Sequence, residues 1–241
     1  MTADIQKLGF YATPPHNCSY FSDRQAVTLF ADPKFPKTIQ LYSLLIRYGF
    51  RRSGKHLYQP HCASCSACIP VRIPIHDFTP RRSQQRTWRR NKDITINALP
   101  AEYQEDHFKL YKNYLSFRHP HGGMENPTAE SYMDFLMTDW ANTIFYEMKL
   151  EEKLMAIAVV DQLNDGLSAV YTFFNNEYLK RGLGTYAILF EIEEAKRLGL
   201  NWLYLGYWIE NCKKMTYKKE FQPLEYYYNG QWQRQPNKEI I

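Results

Sequence analysis

Long hydrophobic runs are absent from this 241-residue sequence, because no apolar stretch approaches the ~20 residues that a transmembrane helix needs. The N-terminus also lacks a charged-then-apolar leader, since Met1 to Lys7 includes Asp4, Gln6 and Lys7. Low-complexity tracts are missing too, and 44% of the residues are hydrophobic. These absences predict a folded globular protein of the cytoplasm, with no membrane partner and enough chain for two modest domains.

Cysteine is scarce but unevenly placed. Cys62, Cys65 and Cys68 form a C-x2-C-x2-C run, and Cys18 lies upstream. Four thiols in one N-terminal segment suggest zinc or an Fe–S cluster, because thiolates are strong ligands for both. The alternatives are inert buried thiols or a disulfide, and disulfides are the weaker choice without a leader and with one cysteine left over. That fifth cysteine, Cys212, is far away in sequence and is expected to be unrelated.

Acidic residues are missing from one segment, residues 81–92. Its six cationic residues exceed the net charge of +5, so the rest of the chain carries −1. These residues are Arg81, Arg82, Arg86, Arg89, Arg90 and Lys92. A concentrated basic segment in a near-neutral chain is typical of a nucleic-acid footprint, and Trp88 within it could stack on a base. A solvated basic linker or helix face is an equally good interpretation.

The first hundred residues are rich in proline and contain one clear helix. From Lys37 to Tyr48 the apolar residues follow the i, i+3, i+4, i+7 pattern, and Gly49 is placed to end the helix. Residues 71–73 and 94–96 alternate as half-buried strands do. The sequence therefore predicts a small α+β domain over residues 1–100, which holds the cysteines and the basic linker, and a second domain over residues 101–241.

Longer and more regular elements fill the second half. Two amphipathic helices are predicted around Tyr111 and Phe135, followed by strands at 143–148, 154–161 and 168–174. Asn164-Asp165-Gly166 predicts a hairpin between the last two strands. A glycine turn with Gly184 and Thr185, a helix to Leu198 and a strand from Trp202 follow. This is the element order of a GNAT-like acyltransferase, a mixed sheet flanked by helices, in which the turn and the helix N-terminus bind an anionic donor.

Motifs throughout the chain resemble those of one known family, the bacterial aspartate/glutamate leucyltransferases, relatives of the eukaryotic arginyl-tRNA–protein transferases. In the N-terminal half these motifs are Cys18-Ser19-Tyr20, Gly49-Phe50-Arg51-Arg52-Ser53-Gly54, Tyr58-Gln59-Pro60-His61-Cys62, Cys68-Ile69-Pro70-Val71-Arg72-Ile73 and Arg89-Arg90-Asn91. In the C-terminal half they are Arg118-His119-Pro120, Gly122-Gly123-Met124, Tyr171-Thr172-Phe173, Leu183-Gly184-Thr185-Tyr186, Leu205-Gly206-Tyr207-Trp208-Ile209 and Lys214-Met215-Thr216-Tyr217-Lys218. The cysteines depart from the eukaryotic pattern, which has C-x2-C at the first position and an adjacent pair at the second.

The resemblance implies transfer of leucine from leucyl-tRNA to proteins that begin with Asp or Glu, which marks them for degradation. It implies an aminoacyl-tRNA donor in place of acyl-CoA, and no cofactor for the transfer itself. It also accounts for Tyr186, a bulky residue where acyl-CoA enzymes need a small one beside the pyrophosphate. The other functions left open are an arginyl-tRNA–protein transferase, an acyl-CoA-dependent acetyltransferase with an accessory metal module, and an RNA-binding adaptor.

Aminolysis of an aminoacyl ester needs little from side chains. An α-amine with a pKa near 7.7–8.0 is roughly one-tenth neutral at pH 7, whereas juxtaposing ester and amine can contribute ~7–11 kcal/mol. No catalytic triad is required, but the reaction needs donors for the oxyanion and a route for one proton. Backbone N–H groups near residues 171–173 and 205–207 are candidate oxyanion donors. Tyr171, Tyr207 and Tyr217 are the candidate proton relays, although packing is the usual role of a tyrosine.

Arginine is the residue expected to bind the carboxylate of the acceptor, because its planar fork matches that group. Arg51, Arg52 and Arg72 lie in the N-terminal motifs, and surface salt bridges are the rival explanation for each. For the donor and its tRNA we expect contacts from Arg86, Arg89, Arg90, Gly184, Thr185 and Lys218. The expected metal ligands are Cys18, Cys62, Cys65 and Cys68.

Overall fold

The computed structural model describes residues 7–118 and 126–234, and it confirms the predicted α+β class. Its strands are β1 (Phe10–Ala12), β2 (His16–Asn17), β3 (Gln25–Ala26), β4 (Thr28–Ala31), β5 (Arg51–Ser53), β6 (His56–Pro60), β7 (Ile69–Pro74), β8 (Thr95–Pro100), β9 (Asn142–Leu150), β10 (Lys153–Gln162), β11 (Gly166–Phe174), β12 (Trp202–Trp208), β13 (Glu225–Tyr228) and β14 (Gln231–Gln233). Its α-helices are α1 (Ile39–Leu45), α2 (Arg82–Arg90), α3 (Glu105–Arg118), α4 (Ala129–Leu136) and α5 (Leu183–Arg197).

A large mixed sheet forms the centre of the fold. Its strand order is β14-β13-β7-β12-β11-β10-β9-β8, and only the β11–β12 pair is parallel. The hairpin β10–β11, the turn, helix α5 and strand β12 follow one another as the sequence predicts. A parallel pair needs a crossover, and α5 supplies it.

Helices cover both faces of this sheet. On one face α5 buries a row of residues spaced four apart, Leu183, Ala187, Glu191 and Ala195, and α2 packs beside it. On the other face α3 and α4 bury Tyr111 and other aromatic and aliphatic side chains against the inner strands. The two apolar clusters are separated only by the sheet, so the strands between them are buried on both sides.

The N-terminal part forms a second sheet of β1, β4, β6 and β5 with α1 beside it. Thr38 caps α1 by accepting the N–H of Leu41, and a 3₁₀ turn over Ile46–Tyr48 continues the helix. Gly49 ends it with φ = 87°, a left-handed conformation that favours glycine. The predicted helix and its terminator are therefore confirmed.

The first hundred residues also contribute to the large sheet. Strand β7 hydrogen bonds between β12 and β13, with Val71 and Ile73 buried, and β8 pairs with β9 at the opposite edge. The division into domains at residue 100 stays a prediction. In the structure, the chain before that point provides one central strand and one edge strand of the main sheet.

The helices of residues 7–118 and 126–234 are short or polar. None of them is both long and apolar enough to cross a lipid bilayer. The family motifs His119-Pro120 and Gly122-Gly123-Met124 lie outside the described residues, so no position in the fold is assigned to them.

Candidate active site

The parallel strands β11 and β12 stay together for only three residues. Gly166–Ser168 pairs with Trp202–Tyr204, and beyond that point β12 pairs with β7 while β11 continues beside β10. The facing edges of the two strands are no longer paired with each other. We call this space, from Ala169 on β11 and Leu205 on β12 onward, the β11–β12 gap.

Arg51 lies at the base of the β11–β12 gap. One terminal nitrogen of its guanidinium donates to the carbonyl oxygen of Tyr204 at 3.3 Å and the other to that of Ala169 at 2.5 Å. These carbonyls lie where the two strands separate, so the guanidinium of Arg51, which is part of β5, occupies the space between the strands at that position. The residue is buried, and Gly206 leaves room for it.

Lys218 reaches the same gap from the 3₁₀ turn Thr216–Glu220. Its ammonium nitrogen, Nζ, donates to the carbonyl oxygen of Tyr207 on β12. Burial lowers the pKa of Lys218 to about 7, and the positive charge of Arg51 contributes to the lowering. A buried lysine with this pKa changes its charge near neutral pH.

Two of the predicted tyrosines are neighbours in the gap. Tyr171 is packed edge-on against Tyr114 and Phe135, and its hydroxyl has no hydrogen-bond partner among the described residues. Burial raises the pKa of Tyr171, and the nearby hydroxyls of Tyr114, Tyr111 and Tyr217 contribute to the same effect. Tyr217 is 43% exposed as a residue, whereas burial raises the pKa of its hydroxyl, with a smaller contribution from Tyr114.

Tyr207 faces the N-terminal sheet instead. Its hydroxyl donates to the carbonyl oxygens of Gly49 at 2.9 Å and Tyr58 at 3.2 Å. Because this hydroxyl ties β12 to the N-terminal part, the structure gives it a connecting role. Its backbone carbonyl, which accepts from Lys218, is the part of Tyr207 that lies in the gap.

Arg52 points away from Arg51 and into a closed polar cluster. Its Nε donates to Asp161 at 2.6 Å and a terminal nitrogen donates to the other carboxylate oxygen at 2.8 Å. Both side chains are fully inaccessible, with 0% exposed. Thr143 also donates to Asp161, and the backbone carbonyl of Leu136 accepts from Arg52. The guanidinium of Arg52, which was predicted to bind the carboxylate of the acceptor, is therefore already bound to a carboxylate of the protein.

Arg72 is held by aromatic rings and a carboxylate. Its guanidinium carbon lies 3.5 Å from the ring centre of Trp202 and 4.3 Å from that of Trp232. Its Nε donates to Glu225 at 2.8 Å. The two indole rings and the paired carboxylate hold Arg72 in place where β7 pairs with β13.

Helix α2 covers the beginning of α5. The Nδ2 of Asn91 donates to the carbonyl of Arg181 at 2.9 Å, and Arg90 donates to that of Lys180. Trp88 packs on Tyr186, with 5.3 Å between ring centres. The basic helix α2 therefore partly covers the N-terminal turn of α5. The predicted Gly184 and Thr185 lie half-buried in this turn.

The cationic side chains of α2 point outward. Arg86 and Arg89 are exposed, and Arg90, Lys180 and Arg181 line a shallow depression beside the start of α5. Arg81 is paired with Glu220 and Arg181 with Asp93. The basic segment is thus an ordered helix with exposed positive charge.

The structure brings the four predicted thiols near one another but does not arrange them as ligands. Burial raises the pKa of Cys68 to about 12, and the neighbouring thiols Cys18, Cys62, Cys65 and Cys212 add to the effect. No group of three or more histidine, cysteine, aspartate or glutamate side chains in residues 7–118 and 126–234 is placed to hold a metal ion. Cys212 was expected to be unrelated because it is distant in sequence, but it lies near enough to Cys68 to raise the pKa of that thiol.

Two of these thiols accept hydrogen bonds from within the protein. The N–H of Val27 donates to Cys62 Sγ at 3.4 Å, and Arg24 donates to Cys65 Sγ at 3.2 Å. Although burial alone would raise it, the pKa of Cys65 is lowered by the backbone of Ala67 and by Arg24. In the described part of the chain these four thiols therefore do not form a ready set of metal ligands.

Sequence reasoning missed one residue at the site, Glu191. It lies on the buried face of α5 with 0% exposed, and both carboxylate oxygens lack a partner among the described residues. Burial raises its pKa to about 8, and Arg51 partly opposes the shift. The signal was present, because residue 191 falls four residues after Ala187 and eight after Leu183, where α5 should be apolar.

This chain matches one protein family along most of its length. The family profile "Arginine-tRNA-protein transferase, N terminus" covers residues 16–86, and "Arginine-tRNA-protein transferase, C terminus" covers residues 106–228. The chain belongs to the arginine-tRNA–protein transferase family. Within it, the chain is similar to proteins named aspartate/glutamate leucyltransferase, which confirms the resemblance drawn from the motifs.

Two such relatives are those of Alcanivorax borkumensis and Pseudomonas fluorescens. The first is 50% identical over 96% of both chains. The second is 48% identical over 95% of this chain and 97% of the relative. Among solved structures, FemX covers 80% of this chain and 66% of its own, with a TM-score of 0.49 and 9% identity. L-PGS from Bacillus licheniformis covers 70% of this chain and 52% of its own, with a TM-score of 0.47 and 12% identity.

Proposed function

We propose that this protein transfers leucine from leucyl-tRNA to the α-amino group of proteins that begin with Asp or Glu. The observation that carries the proposal is the 50% identity to an aspartate/glutamate leucyltransferase over 96% of the chain. The modified proteins are marked for degradation by their new N-terminal residue. Because the donor is an aminoacyl-tRNA, we place the reaction in the cytoplasm.

The reaction is aminolysis of an ester. The neutral α-amine attacks the leucyl carbonyl carbon, a C–N bond forms, and the bond to the ribose oxygen breaks. Positioning of the two substrates provides most of the reduction in the activation barrier, as much as ~7–11 kcal/mol in well-oriented systems. We place this encounter in the β11–β12 gap, where Tyr171, Tyr217, Arg51 and Lys218 meet. Cations at the gap stabilise the oxyanion that develops.

Among the predicted arginines, Arg51 has the geometry that best suits the acceptor carboxylate. Two of its nitrogens hold strand carbonyls, and each terminal nitrogen has a second N–H beyond the one used. Arg52 and Arg72 are engaged with Asp161 and Glu225. We propose that Arg51 contacts the acceptor and that the other two arginines hold the site together.

The cover over α5 favours an aminoacyl-tRNA over acyl-CoA as the donor. An acyl-CoA enzyme needs the first turn of this helix open to the pyrophosphate. Here Trp88 and Tyr186 pack together at that turn, and α2 hydrogen bonds to the preceding loop. We propose that the exposed cations of α2 contact the tRNA, while Gly184 and Thr185 shape the donor end of the gap.

We propose no cofactor for the transfer chemistry. Zinc or an Fe–S cluster at Cys18, Cys62, Cys65 and Cys68 stays a prediction from spacing, and it would require these thiols to exchange their hydrogen bonds for metal bonds. Metal analysis and absorption spectra of protein purified without oxygen test it. Binding that weakens as the pH falls is expected of thiolate ligands.

A donor comparison tests the function. A peptide that begins with Asp is offered with leucyl-tRNA, arginyl-tRNA and acetyl-CoA in separate reactions, and the product masses are measured. Addition of one leucine from leucyl-tRNA is the expected result. Addition of arginine alone would instead identify an arginyltransferase, acetylation would identify a GNAT acetyltransferase, and no product with any donor would favour an RNA-binding role.

A further inference from the structure

Three cations line one shallow depression beside the start of α5, and only one of them is paired with a carboxylate. They are Arg90 on α2, and Lys180 and Arg181 on the 3₁₀ turn Asn176–Arg181. Arg181 donates to both carboxylate oxygens of Asp93, at 2.8 and 2.9 Å. No carboxylate of residues 7–118 and 126–234 pairs with the other two cations. Like charges held this close repel one another, which costs stability unless an anion binds between them.

Reciprocal hydrogen bonds join the two sides of the depression. Arg90 donates to the carbonyl oxygen of Lys180, and Arg181 donates to the carbonyl oxygen of Arg90 at 3.1 Å. Asn91, which is 0% exposed, donates to the carbonyl oxygen of Arg181 at 2.9 Å. These contacts fix both guanidinium groups before a ligand arrives, which reduces the entropic cost of binding. The network also gives a structural role to the motif Arg89-Arg90-Asn91.

The depression lies at the end of the sheet toward which the β11–β12 gap opens. The two strands are parallel, and the gap extends from Ala169 toward their carboxyl ends. The 3₁₀ turn Asn176–Arg181 begins two residues after β11 ends at Phe174. A Cβ atom on Gly184, in the first turn of α5, would lie 3.2 Å from the ring of Phe174. The start of α5 and the depression beside it therefore adjoin the open end of the gap.

We propose that this depression binds phosphate groups of the unpaired 3′ end of the donor tRNA. The proposal rests on the proposed function and adds to it a subsite of defined chemistry. In an aminoacyl-tRNA the ester is on the ribose of the last nucleotide, so the phosphates that can lie beside the gap are those of the last few nucleotides. Fixed guanidinium groups and a lysine are suitable ligands for phosphodiesters.

Trp88 favours a single strand over a duplex as the ligand. It packs on Tyr186 with 5.3 Å between ring centres, and 38% of it remains exposed. Single-stranded nucleic acids are bound by cations that follow the backbone, together with aromatic rings on which bases stack. The surface from Trp88 to Lys180 combines both features. Arg86 and Arg89 lie outside the depression and suit the duplex body of the tRNA.

The test compares three leucyl donors that differ in their phosphates. They are leucyl-tRNA, the leucylated 3′-terminal trinucleotide, and leucyl-adenosine, which has no phosphate. The depression variant, Arg90→Gln with Lys180→Gln, removes the two cations that lack a carboxylate partner among the described residues. Its kcat/KM should fall about 5- to 30-fold with leucyl-tRNA and with the trinucleotide, and change less than about twofold with leucyl-adenosine.

Salt dependence provides a second readout, which a merely structural role would not change. The affinity of the trinucleotide without leucine is measured from its inhibition of leucyl transfer. The slope of log affinity against log salt should be flatter by about 1.4 in the depression variant, at ~0.7 per phosphate contact in a single strand. If Arg90→Gln loosens the loop, Lys180→Gln alone provides the test, because the residue is exposed, and about half of that change is expected.

Two further variants separate the depression from nearby charge. Lys153→Gln removes an exposed cation that pairs with Glu177 on the same 3₁₀ turn, and all three rates should stay within about twofold of the wild type. Arg86→Gln with Arg89→Gln should lose more with leucyl-tRNA than with the trinucleotide. A loss in the depression variant that is confined to leucyl-tRNA, or that is equally large with leucyl-adenosine, would overturn the proposal.

Failure of the proposed function is recognised separately, from the wild type. If the wild type adds no leucine from leucyl-tRNA, the proposed function fails. If it uses leucyl-tRNA but neither short donor, inhibition by the trinucleotide without leucine decides the proposal. The inhibition constant should then rise in the depression variant by the factor expected for kcat/KM. A trinucleotide that does not inhibit the wild type, or that inhibits both proteins equally, would overturn the proposal.

Discussion

Arg51 and Gly206 are in close contact at the base of the β11–β12 gap. A Cβ atom at residue 206 would lie 3.3 Å from Nε of Arg51 and 3.4 Å from its central guanidinium carbon. Gly206 also has φ = 76°, where side chains are strained. The glycine therefore makes room for the arginine, and the arginine holds the two strands at the point where they separate.

Gly206→Ala should damage activity more than stability. The left-handed backbone costs roughly 1–2 kcal/mol with a Cβ, and displacement of Arg51 should lower kcat/KM by about 10- to 100-fold. Gly199→Ala is the matched control, since Gly199 has φ = 68° and no described neighbour within 4 Å. The control should lose similar stability in urea unfolding but keep its transfer rate. Equal rates in the two variants would remove Arg51 from the candidate site.

Loss of the buried ion pair between Arg52 and Asp161 should make the protein less stable. Arg52→Met leaves a buried carboxylate without its partner, so we expect a loss of about 3–5 kcal/mol in the free energy of unfolding. The double variant Arg52→Met, Asp161→Leu removes both charges and should recover most of that loss. Denaturant unfolding of the three proteins measures it. Should Arg52→Met unfold like the wild type but raise KM for the acceptor, Arg52 would be the acceptor-binding residue after all.

Sequence patterns that involve only neighbouring residues predict the local structure correctly. The helix ended by Gly49 and the hairpin at Asn164-Asp165-Gly166 depend on neighbouring residues, and both are present. The place of β7 between β12 and β13 depends on contacts between residues more than a hundred positions apart. Local periodicity contains no information about such pairing, which is why the sequence pattern places β7 in the N-terminal module.

The site was predictable only in part for the same reason. Motif resemblance identifies Arg51 and Arg52 together, because they are adjacent in one strand. Successive residues of a strand point to opposite faces, and this alternation sends Arg52 to Asp161 while Arg51 enters the gap. Glu191 belongs to none of the recognised motifs. Its departure from the apolar pattern of α5 was the available signal.

The basic helix α2 should bind the tRNA electrostatically. If all six cations of residues 81–92 contacted phosphates, log affinity would fall with log salt with a slope of about −4 to −5, at ~0.7–0.9 per contact. Reversal of Arg86, Arg89 and Arg90 to Glu should flatten this slope and raise KM for leucyl-tRNA, with little effect on KM for the peptide. Lys109→Glu with Lys112→Glu, on the helix that covers the other face of the sheet, is the control. An unchanged slope in the α2 variant would make the segment a solvated helix.

Lys218 should make stability depend on pH. Its pKa is about 7 in the folded protein and 10.5 when unperturbed. Below pH 7 Lys218 is protonated in both the folded and the unfolded protein, and the folded protein bears the full cost of the buried charge. Between pH 7 and 10.5 only the unfolded state binds it, so this cost fades as the pH rises. Lys218→Met should therefore stabilise the protein by about 2–4 kcal/mol at about pH 6 and much less at about pH 9. Thermal unfolding at both pH values measures this, and a gain that is larger at the higher pH would contradict it.

Acceptor selectivity with leucyl-tRNA tests the central claim most directly. Four peptides that differ only in the first residue, Asp, Glu, Asn or Ala, are compared by kcat/KM for addition of leucine. Asn matches Asp in shape but lacks the charge, so loss of a charge-assisted hydrogen bond worth about 2–3 kcal/mol should make it some 30- to 150-fold poorer. We expect rapid leucylation of the Asp and Glu peptides and slow leucylation of the other two. Equal rates for Asp and Asn would contradict the claim.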